Sequence, residues 1–212
     1  MTRRLPDEGP LLGPNLQLCR LGEPDLAELA EVAMAPEVYW QGYLMHHRPT
    51  GRAEAVAMVR SRWFCDPDLR DGRGAGRMAY AIRLRGDGPL GRSGDLVGTS
   101  SIGEVHLERE QAHLGWTLYA PRFWGTGANA EAKWLLLGHC FGRCGLGRVR
   151  IQTDLLNTRS QAAIARRGAT REGVLRRDQP REDGSWRDTV VFSILADEWP
   201  AVTRGLQARF TR

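Results

Sequence analysis

One stretch constrains this chain more than any other: residues 121–137 read PRFWGTGANAEAKWLLL. Two glycines, Gly125 and Gly127, end an aromatic segment, and a run of helix-forming residues follows at once. The first turn of a helix leaves backbone N–H groups without intrahelical acceptors, and the helix dipole makes this end positive. Glycine lets the backbone approach a ligand closely. The stretch therefore predicts an anion site suited to a phosphate or pyrophosphate.

The segments around this loop predict a mixed α+β sheet. Alternating apolar residues predict a strand over 16–21 and antiparallel hairpin strands over 78–85, 96–107 and 112–119. Helices are expected over 24–34, 52–64, 128–144 and 158–167, the last capped by Asn157 and ended by Gly168. Further strands are expected over 148–153, 173–176 and 189–195. The connection from 112–119 to 148–153 is then a single parallel crossover, which should be right-handed.

Length and composition favour one domain with ordinary solubility. The 212 residues suit a single core, so we expect a flexible tail over 1–14 and one domain over 15–212. No apolar run approaches the roughly 18 residues of a membrane span, and no secretory signal is recognisable, which predicts a cytoplasmic protein without a membrane partner. The four cysteines fit no strong metal pattern and are expected to be reduced thiols, namely Cys19, Cys65, Cys140 and Cys144.

The basic residues are almost all arginine. Lys133 is the only lysine among 30 basic residues, and the net charge is +5. Arginine binds phosphates and carboxylates bidentately, so an acidic cofactor or partner such as ribosomal RNA is one interpretation. Solvated arginines on exposed faces are the alternative.

Two ligand classes compete for the glycine loop. Gly125-x-Gly127-x-x-Ala130 fits the dinucleotide fingerprint, with Asp154 as the acid that would bind the ribose. In a dinucleotide fold, however, the glycine turn follows its strand directly and belongs to repeated βαβ units. Here residues 120–124 intervene and the upstream strands form hairpins, so the dinucleotide interpretation is the weaker one.

The motif Arg122-x-x-Gly125-x-Gly127 resembles the acyl-CoA pyrophosphate loop of the GNAT acetyltransferases. The similarity to the RimJ/RimL-type branch covers residues 112–200 strongly, and the order of upstream elements agrees to about residue 14. The resemblance implies a GNAT fold: a mixed, mostly antiparallel twisted sheet with helices on both faces and a central parallel strand pair that splays apart. It also implies acetyl-CoA as cosubstrate and no metal.

The resemblance further implies which residues hold acyl-CoA. The strand before the loop would pair with the pantetheine arm, the loop amides would hold the pyrophosphate, and an N-x-x-S turn would lie beside the cofactor. Asn157 and Ser160 form this turn, and their alternative role is to cap the helix. In order, the implied residues are Trp116, Thr117, Leu118, Arg122, Phe123, Trp124, Gly125, Thr126, Gly127, Ala128, Asn129, Asn157 and Ser160.

Amine acylation needs a base for the amine and a proton for the departing thiolate. His113 occupies the position where the family branch often has a glutamate, and an imidazole accepts a proton near neutral pH. Glu104 on the neighbouring strand is the second candidate, and a structural role is the alternative for both. Many relatives carry a tyrosine acid where this chain has Ile164, so Ser160 or water is the expected proton donor.

The acceptor is expected to contact the irregular segment PEVYWQGYLMHHRPTG at 36–51, because such early loops cover the acceptor side in the family. Core packing is the alternative for its aromatic residues, and a His-His pair alone is poor evidence for metal. The candidates are Tyr39, Trp40, Tyr43, His46 and His47.

The resulting hypothesis is an acetyl-CoA-dependent N-acetyltransferase whose acceptor is a primary amine, such as a protein N-terminal α-amine. A small-molecule amine, another acyl group such as succinyl, and a non-catalytic acyl-CoA-binding module are the alternatives. We expect nucleic acid to be involved only indirectly, through a ribosomal protein as acceptor. A monomer or homodimer is expected.

Overall fold

The structure, a computed structural model, describes residues 2–39, 47–64, 72–74, 76–181 and 183–211. Within these residues eight strands form one sheet in the order β1-β2-β3-β4-β5-β6-β8-β7. Neighbouring strands are antiparallel except β5 and β6, which are parallel. The strands are β1 Leu11–Leu12, β2 Leu16–Arg20, β3 Arg77–Leu84, β4 Leu96–His106, β5 Gln111–Tyr119, β6 Arg148–Asp154, β7 Thr170–Pro180 and β8 Trp186–Leu195.

Helices cover both faces of this sheet. On one face α1 and α2 pack in a cluster with inward side chains such as Ala81 and Leu118. On the other face α3 and α5 pack in a cluster that includes Tyr80 and Leu114. The helices are α1 Leu26–Met34, α2 Arg52–Arg62, α3 Ala128–Gly138, α4 Thr158–Ala165 and α5 Trp199–Gln207. The expected mixed sheet with helices on both faces is confirmed.

The parallel strands β5 and β6 pair over only three residues each. The ladder runs from Gln111 opposite Arg148 to His113 opposite Arg150 and then stops. Strand β6 continues along β8 as far as Asp154, while β5 continues along β4. Among the described residues no strand pairs with the β6-facing edge of 114–119. This divergence leaves an open cleft between the two strands, as the resemblance implied.

A β-bulge shapes the open part of β5. Thr99 pairs with Leu118 and Ser101 with Gly115, so two β5 residues lie opposite Ser100. Trp116, the first of the two, has a φ of 48°. Its carbonyl accepts a hydrogen bond of 2.9 Å from the indole N–H of Trp63, which anchors the bulge to the segment after α2. A bulge increases local twist and redirects side chains, here at the cleft wall.

Three segments differ from the sequence expectation. Within the expected tail, β1 pairs with β2 and the Arg4 amide donates to the carbonyl of Cys144. The helix expected over 128–144 ends at Gly138 and continues as a wider π-type turn, His139–Arg143. Strand β7 is longer than the expected 173–176 because it pairs along nearly all of β8.

The start of β2 is held by a buried carboxylate of α3. Glu131 Oε1 accepts from the amides of Asn15 and Leu16, and Oε2 accepts from Asn15 Nδ2, each at 2.8 Å. Truncation would leave the buried Leu16 amide without this acceptor, at a cost of about 1–3 kcal/mol.

We therefore expect Glu131→Ala to lower the free energy of unfolding by about 3 kcal/mol in urea denaturation, since a cavity adds to the lost hydrogen bonds. Glu131→Gln is the matched control and should lose less, because its amide oxygen keeps an acceptor for the two backbone amides. Equal stability of Glu131→Ala and the unmodified protein would contradict this assignment.

Candidate active site

The glycine loop presents unpaired backbone donors at the start of α3. After a 3-10 turn at Pro121–Phe123, Gly125 adopts a φ of 78°, and a Cβ built on it would meet no atom within 4 Å. Among the described residues the amides of Gly125, Gly127 and Asn129 have no hydrogen-bond acceptor. The Ala128 amide donates to Thr126 Oγ1 at 3.2 Å, so the loop itself engages this donor. The loop fits an anion bound by several amides.

Gly127 serves packing rather than backbone freedom. Its φ of −69° is accessible to any residue. A Cβ at this position would lie 2.9 Å from the carbonyl oxygen of Arg209 and 2.9 Å from Phe210 Cα. The chain's C-terminal segment therefore requires a glycine here, which the loop motif alone did not indicate.

Two arginines flank the loop in different ways. Arg122 forms an ion pair of 3.1 Å with Asp95, so its side chain is engaged on the surface. The guanidinium of Arg159, in the first turn of α4, lies 4.1 Å from the ring centre of Trp124. This stack places an exposed cation and the α4 N-terminus beside the loop. Arg159 is absent from the sequence prediction because nothing in its local pattern indicates a contact with the loop.

The turn before α4 has the predicted cap. Asn157 is buried, and its Oδ1 accepts from the Ser160 amide at 2.8 Å. Ile164 lies on the same helix and is buried, so this helix provides no phenol at that position. Asp154 is bound by Arg181 at 2.6 Å and by the Leu156 amide at 2.9 Å, and the sheet is mostly antiparallel. The dinucleotide interpretation is therefore wrong.

Glu104, His113 and Arg150 meet where β5 and β6 separate. Glu104 Oε1 lies 3.2 Å from His113 Nδ1, and Arg150 pairs with the other carboxylate oxygen. An ionised carboxylate only accepts, so Nδ1 donates and Nε2 of the neutral ring carries the lone pair. This Nε2 is buried and has no hydrogen-bond partner among the described residues. The structure thus joins the two predicted proton-handling residues and adds Arg150, which the sequence reasoning missed.

Burial sets the protonation of this pair. Burial is the main cause that lowers the pKa of His113, against the opposing effect of Glu104. The hydrogen bond from His113 is the main cause that lowers the pKa of Glu104. A neutral imidazole beside an ionised carboxylate is therefore the state near neutral pH. A Cβ on Gly115 would lie 2.8 Å from Nε2, so a glycine there leaves space beside this nitrogen.

Lys133 projects from α3 to the bulge of β5. Its Nζ donates to Ser100 Oγ and to Thr117 Oγ1, each at 2.8 Å. The residue is only 7% exposed, and burial lowers its pKa to about 7, with a further contribution from Arg167. The sequence reasoning noted this lysine as unique but assigned it no place in the site, because the spacing along α3 does not show what its side chain reaches.

The predicted acceptor segment is only partly described. Tyr39 donates its hydroxyl proton to the carbonyl of Ala33, which supports the packing alternative for this residue. His47 is exposed and lies 2.8 Å from Glu54. Three further candidates lie outside the described residues, namely Trp40, Tyr43 and His46.

Near His113 the described wall of the cleft is aromatic and cationic instead. The Trp116 ring centre lies 4.5 Å from that of His113, and the Arg77 guanidinium lies 4.7 Å from the Trp116 ring.

Among the described residues no group of three His, Cys, Asp or Glu could hold a metal. Among the helices that the structure describes, none is both long enough and apolar enough to cross a membrane.

Comparisons with known proteins agree with this architecture. The sequence profile of the acetyltransferase (GNAT) domain matches residues 15–170. A candidate acetyltransferase from T. thermophilus is 33% identical, with 94% of this chain and 96% of that chain covered and a TM-score of 0.75. A second candidate acetyltransferase of known structure is also 33% identical, with 94% and 93% covered and a TM-score of 0.76.

A further solved structure contains a ligand. Mycobacterium smegmatis RimJ, in complex with CoA-disulfide, is 25% identical, with 98% of this chain and 97% of that chain covered and a TM-score of 0.69. Among curated proteins no relative matches this chain.

The buried amine makes stability depend on pH. Because the folded-state pKa of Lys133 is about 7 and the unfolded value about 10.4, the unfolded state binds more protons between these values. The lysine therefore costs stability below pH 7, and this cost shrinks as pH rises to about 10. We expect the stability of Lys133→Met relative to the unmodified protein to decline over this range, by at most about 1.4 kcal/mol per pH unit in urea unfolding. A stability difference independent of pH would show that the amine is not desolvated.

Proposed function

We propose that this chain, which belongs to the GNAT acetyltransferase family and is an acyltransferase, acetylates a primary amine at the cleft between β5 and β6. The acceptor class we propose is the N-terminal α-amine of a protein, as in the RimJ/RimL-type branch. The observation that carries the proposal is the coincidence of three features: the open edge of β5, the unpaired loop amides at its end, and a neutral imidazole at the point of divergence.

The chain's residues fit acetyl-CoA as cosubstrate. The amides of Gly125, Gly127 and Asn129 offer donors for the pyrophosphate, and Arg159 adds a nearby cation. The edge of β5 over Trp116–Leu118 has no strand partner on the β6 side among the described residues, and we place the pantetheine arm along it in the manner of an added strand, although the Trp116 carbonyl already accepts from Trp63. When bound, acetyl-CoA supplies an activated thioester. The GNAT acetyltransferases use this cosubstrate, and the RimJ relative is in complex with a form of CoA.

His113 is the proposed base. Its buried Nε2 carries the lone pair and lies beside Gly115, near the point where β5 and β6 separate, and Glu104 holds Nδ1 in the protonated tautomer. Nε2 accepts the proton that the amine loses, and the adjacent carboxylate stabilises the imidazolium that forms. The hydrogen bond from His113 is the main cause that lowers the pKa of Glu104, and the paired Arg150 lowers it further.

The weak base favours an α-amine as acceptor. An α-amine of pKa about 8 is roughly a tenth neutral at pH 7, whereas a lysine ε-amine is neutral at only a few parts in ten thousand. A neutral imidazole with a lowered pKa suits the acceptor that needs less help with deprotonation. A small-molecule amine with a similarly low pKa meets the same condition and forms the second arm of the test.

The function is tested by following CoA release with a panel of acceptors, and by the mass of the products. The panel contains peptides with free N-termini, the same peptides with blocked N-termini and a free lysine, and polyamines and amino acids. Transfer to free N-termini alone supports the proposal. Transfer only to small amines overturns the acceptor class, and CoA binding without transfer to any acceptor overturns the activity.

The base assignment predicts a pH profile. Because the pKa of His113 lies below its usual value near 6.5, kcat should fall only as pH drops through that lowered value. His113→Gln should lower kcat by about 10²-fold or more and remove this acidic limb. The profile is measured with an α-amine peptide at saturating acetyl-CoA. An unchanged profile in the variant would remove His113 from the mechanism.

A matched pair of carboxylate variants tests the role of Glu104. Both Glu104 and Glu172 pair with an arginine of β6. Glu172 pairs with Arg148, and the residue that lies opposite Arg148 in the β5–β6 ladder is Gln111 rather than His113. Glu104→Gln should lower kcat and move the acidic limb, because it removes the charge beside the imidazole. Glu172→Gln should leave the limb in place. Equal effects of the two substitutions would indicate a structural role for both pairs.

A further inference from the structure

The only lysine of the chain is buried against the wall of the proposed active site. Lys133 Nζ bridges Ser100 Oγ on β4 and Thr117 Oγ1 on β5, and these two hydroxyls lie 2.8 Å apart. Ser100 is fully buried, whereas Thr117 is half-buried on the open edge of β5. The hydroxyl of Thr117 therefore lies between the Lys133 amine and the open edge of β5.

The hydroxyl of Thr117 has a proton to give. Thr117 Oγ1 accepts a hydrogen bond from Lys133 Nζ. Its own proton can go to Ser100 Oγ or to the Gly115 carbonyl, but the latter lies 3.4 Å away, which is long for an O–H···O bond. Ser100 can donate to Thr117 or, at 3.3 Å, to the same carbonyl. Thr117 therefore lacks a short acceptor for its own proton when Ser100 donates to it.

On the basis of the function proposed above, we infer that Lys133 supplies, through the hydroxyl of Thr117, the proton taken up by the departing CoA thiolate. The acyl transfer breaks the thioester C–S bond and requires an acid at the sulfur. Ile164 occupies the position of the tyrosine acid found in many relatives, and it is buried in the core. The Lys133 relay lies on the opposite wall, at the bulge beside the proposed pantetheine site.

The proton balance closes without another reactant. The Thr117 O–H bond breaks as S–H forms, and the Thr117 O–H is restored by a proton from the Lys133 ammonium. The acceptor amine loses its proton to His113 Nε2 as the amide forms. Lys133 ends neutral and His113 protonated, and exchange with solvent resets both. A thiolate whose thiol has a reference pKa of about 8.5 takes a proton readily from an ammonium of pKa about 7.

The groups around Lys133 do not hold it permanently protonated. From the segment after α4, Arg167 lowers the pKa of the amine. On β5 the nearby titratable group is His113. Burial is the main cause that lowers the pKa of His113, and the charge of Lys133 makes a smaller contribution in the same direction. On α3 the nearest carboxylate, Glu131, is bound to Asn15 and Leu16 on β2.

From β3 the phenol of Tyr80 is buried, and burial raises its pKa far above its usual value, so it carries no charge. The α5 helix contributes Arg204, which is exposed. Among the described residues no carboxylate is paired with the amine. Lys133 can therefore change its protonation near neutral pH.

Because Lys133 is the only lysine, selective labelling tests its titration directly. Protein grown with ¹³C-labelled lysine should show one Lys Cε signal, which titrates near pH 7 rather than near 10.4. CoA should shift this titration, and desulfo-CoA, which lacks the sulfur, should shift it less. Titration near 10.4, or equal shifts with the two ligands, would overturn the proposal. This readout does not require turnover, so it is separate from the test of the proposed function.

Variants test the relay in the reaction. With an acceptor that is turned over, kcat should fall at alkaline pH with a midpoint at the Lys133 titration, and Lys133→Met should lose this limb and about 10²-fold in kcat. Thr117→Val should behave like Lys133→Met, and Thr117→Ser should retain the limb because it keeps the hydroxyl. CoA affinity measured by calorimetry reports whether each variant is folded and loaded. An unchanged limb in Lys133→Met or in Thr117→Val would overturn the relay, so the failure of one variant to fold leaves the other as a test.

Discussion

The site depends on where the β5–β6 ladder stops. Three parallel pairs join these strands, and beyond His113 and Arg150 each strand keeps only its antiparallel neighbour. Backbone groups on an exposed strand edge are ready to pair with an added extended ligand. The cleft is therefore built from main-chain geometry first, and the side chains that line it are placed by the same two strands.

The last ladder pair also fixes the electrostatics at the fork, which is the point where β5 and β6 separate. The final pair brings together a histidine from β5 and an arginine from β6, and Glu104 on β4 contacts both side chains. A carboxylate between a cation and an imidazole stays ionised and holds the ring in one tautomer. Because Nε2 is buried and unpaired among the described residues, the fork is a place where a proton can be accepted. The architecture thus positions the proposed base at the point where the open edge of β5 begins.

The sequence was informative where the physics is local or the motif is long. Strand alternation, the hairpins and the Asn157 cap predicted the order of elements, because periodicity and caps act within a few residues. The glycine loop predicted unpaired amides, but not that Gly127 is required by Phe210, since that contact spans much of the chain. Arg150 and Arg159 were missed for the same reason.

Lys133 shows most clearly what a one-dimensional pattern hides. Within α3 it resembles an ordinary charged helix residue, and such a residue is usually solvated. Its true surroundings come from β4 and β5, whose bulge brings Ser100 and Thr117 together under the helix. Secondary-structure propensity carries no information about that convergence, so the unusual pKa of this amine could only be found from the folded arrangement.

The two proton-handling groups lie on opposite faces of the same strand. His113 contacts Trp116, which packs with the α1 and α2 cluster, whereas Lys133 reaches Thr117 from α3 on the other face. The bulge makes this possible, because His113 and Thr117 are four residues apart and would share one face of a regular strand, whereas the extra residue between Gly115 and Leu118 moves Thr117 to the other face. An edge-bound thioester would then have a base on one side and an acid on the other. In this arrangement the proposed base and the proposed acid would approach different atoms of the reaction from opposite faces of β5.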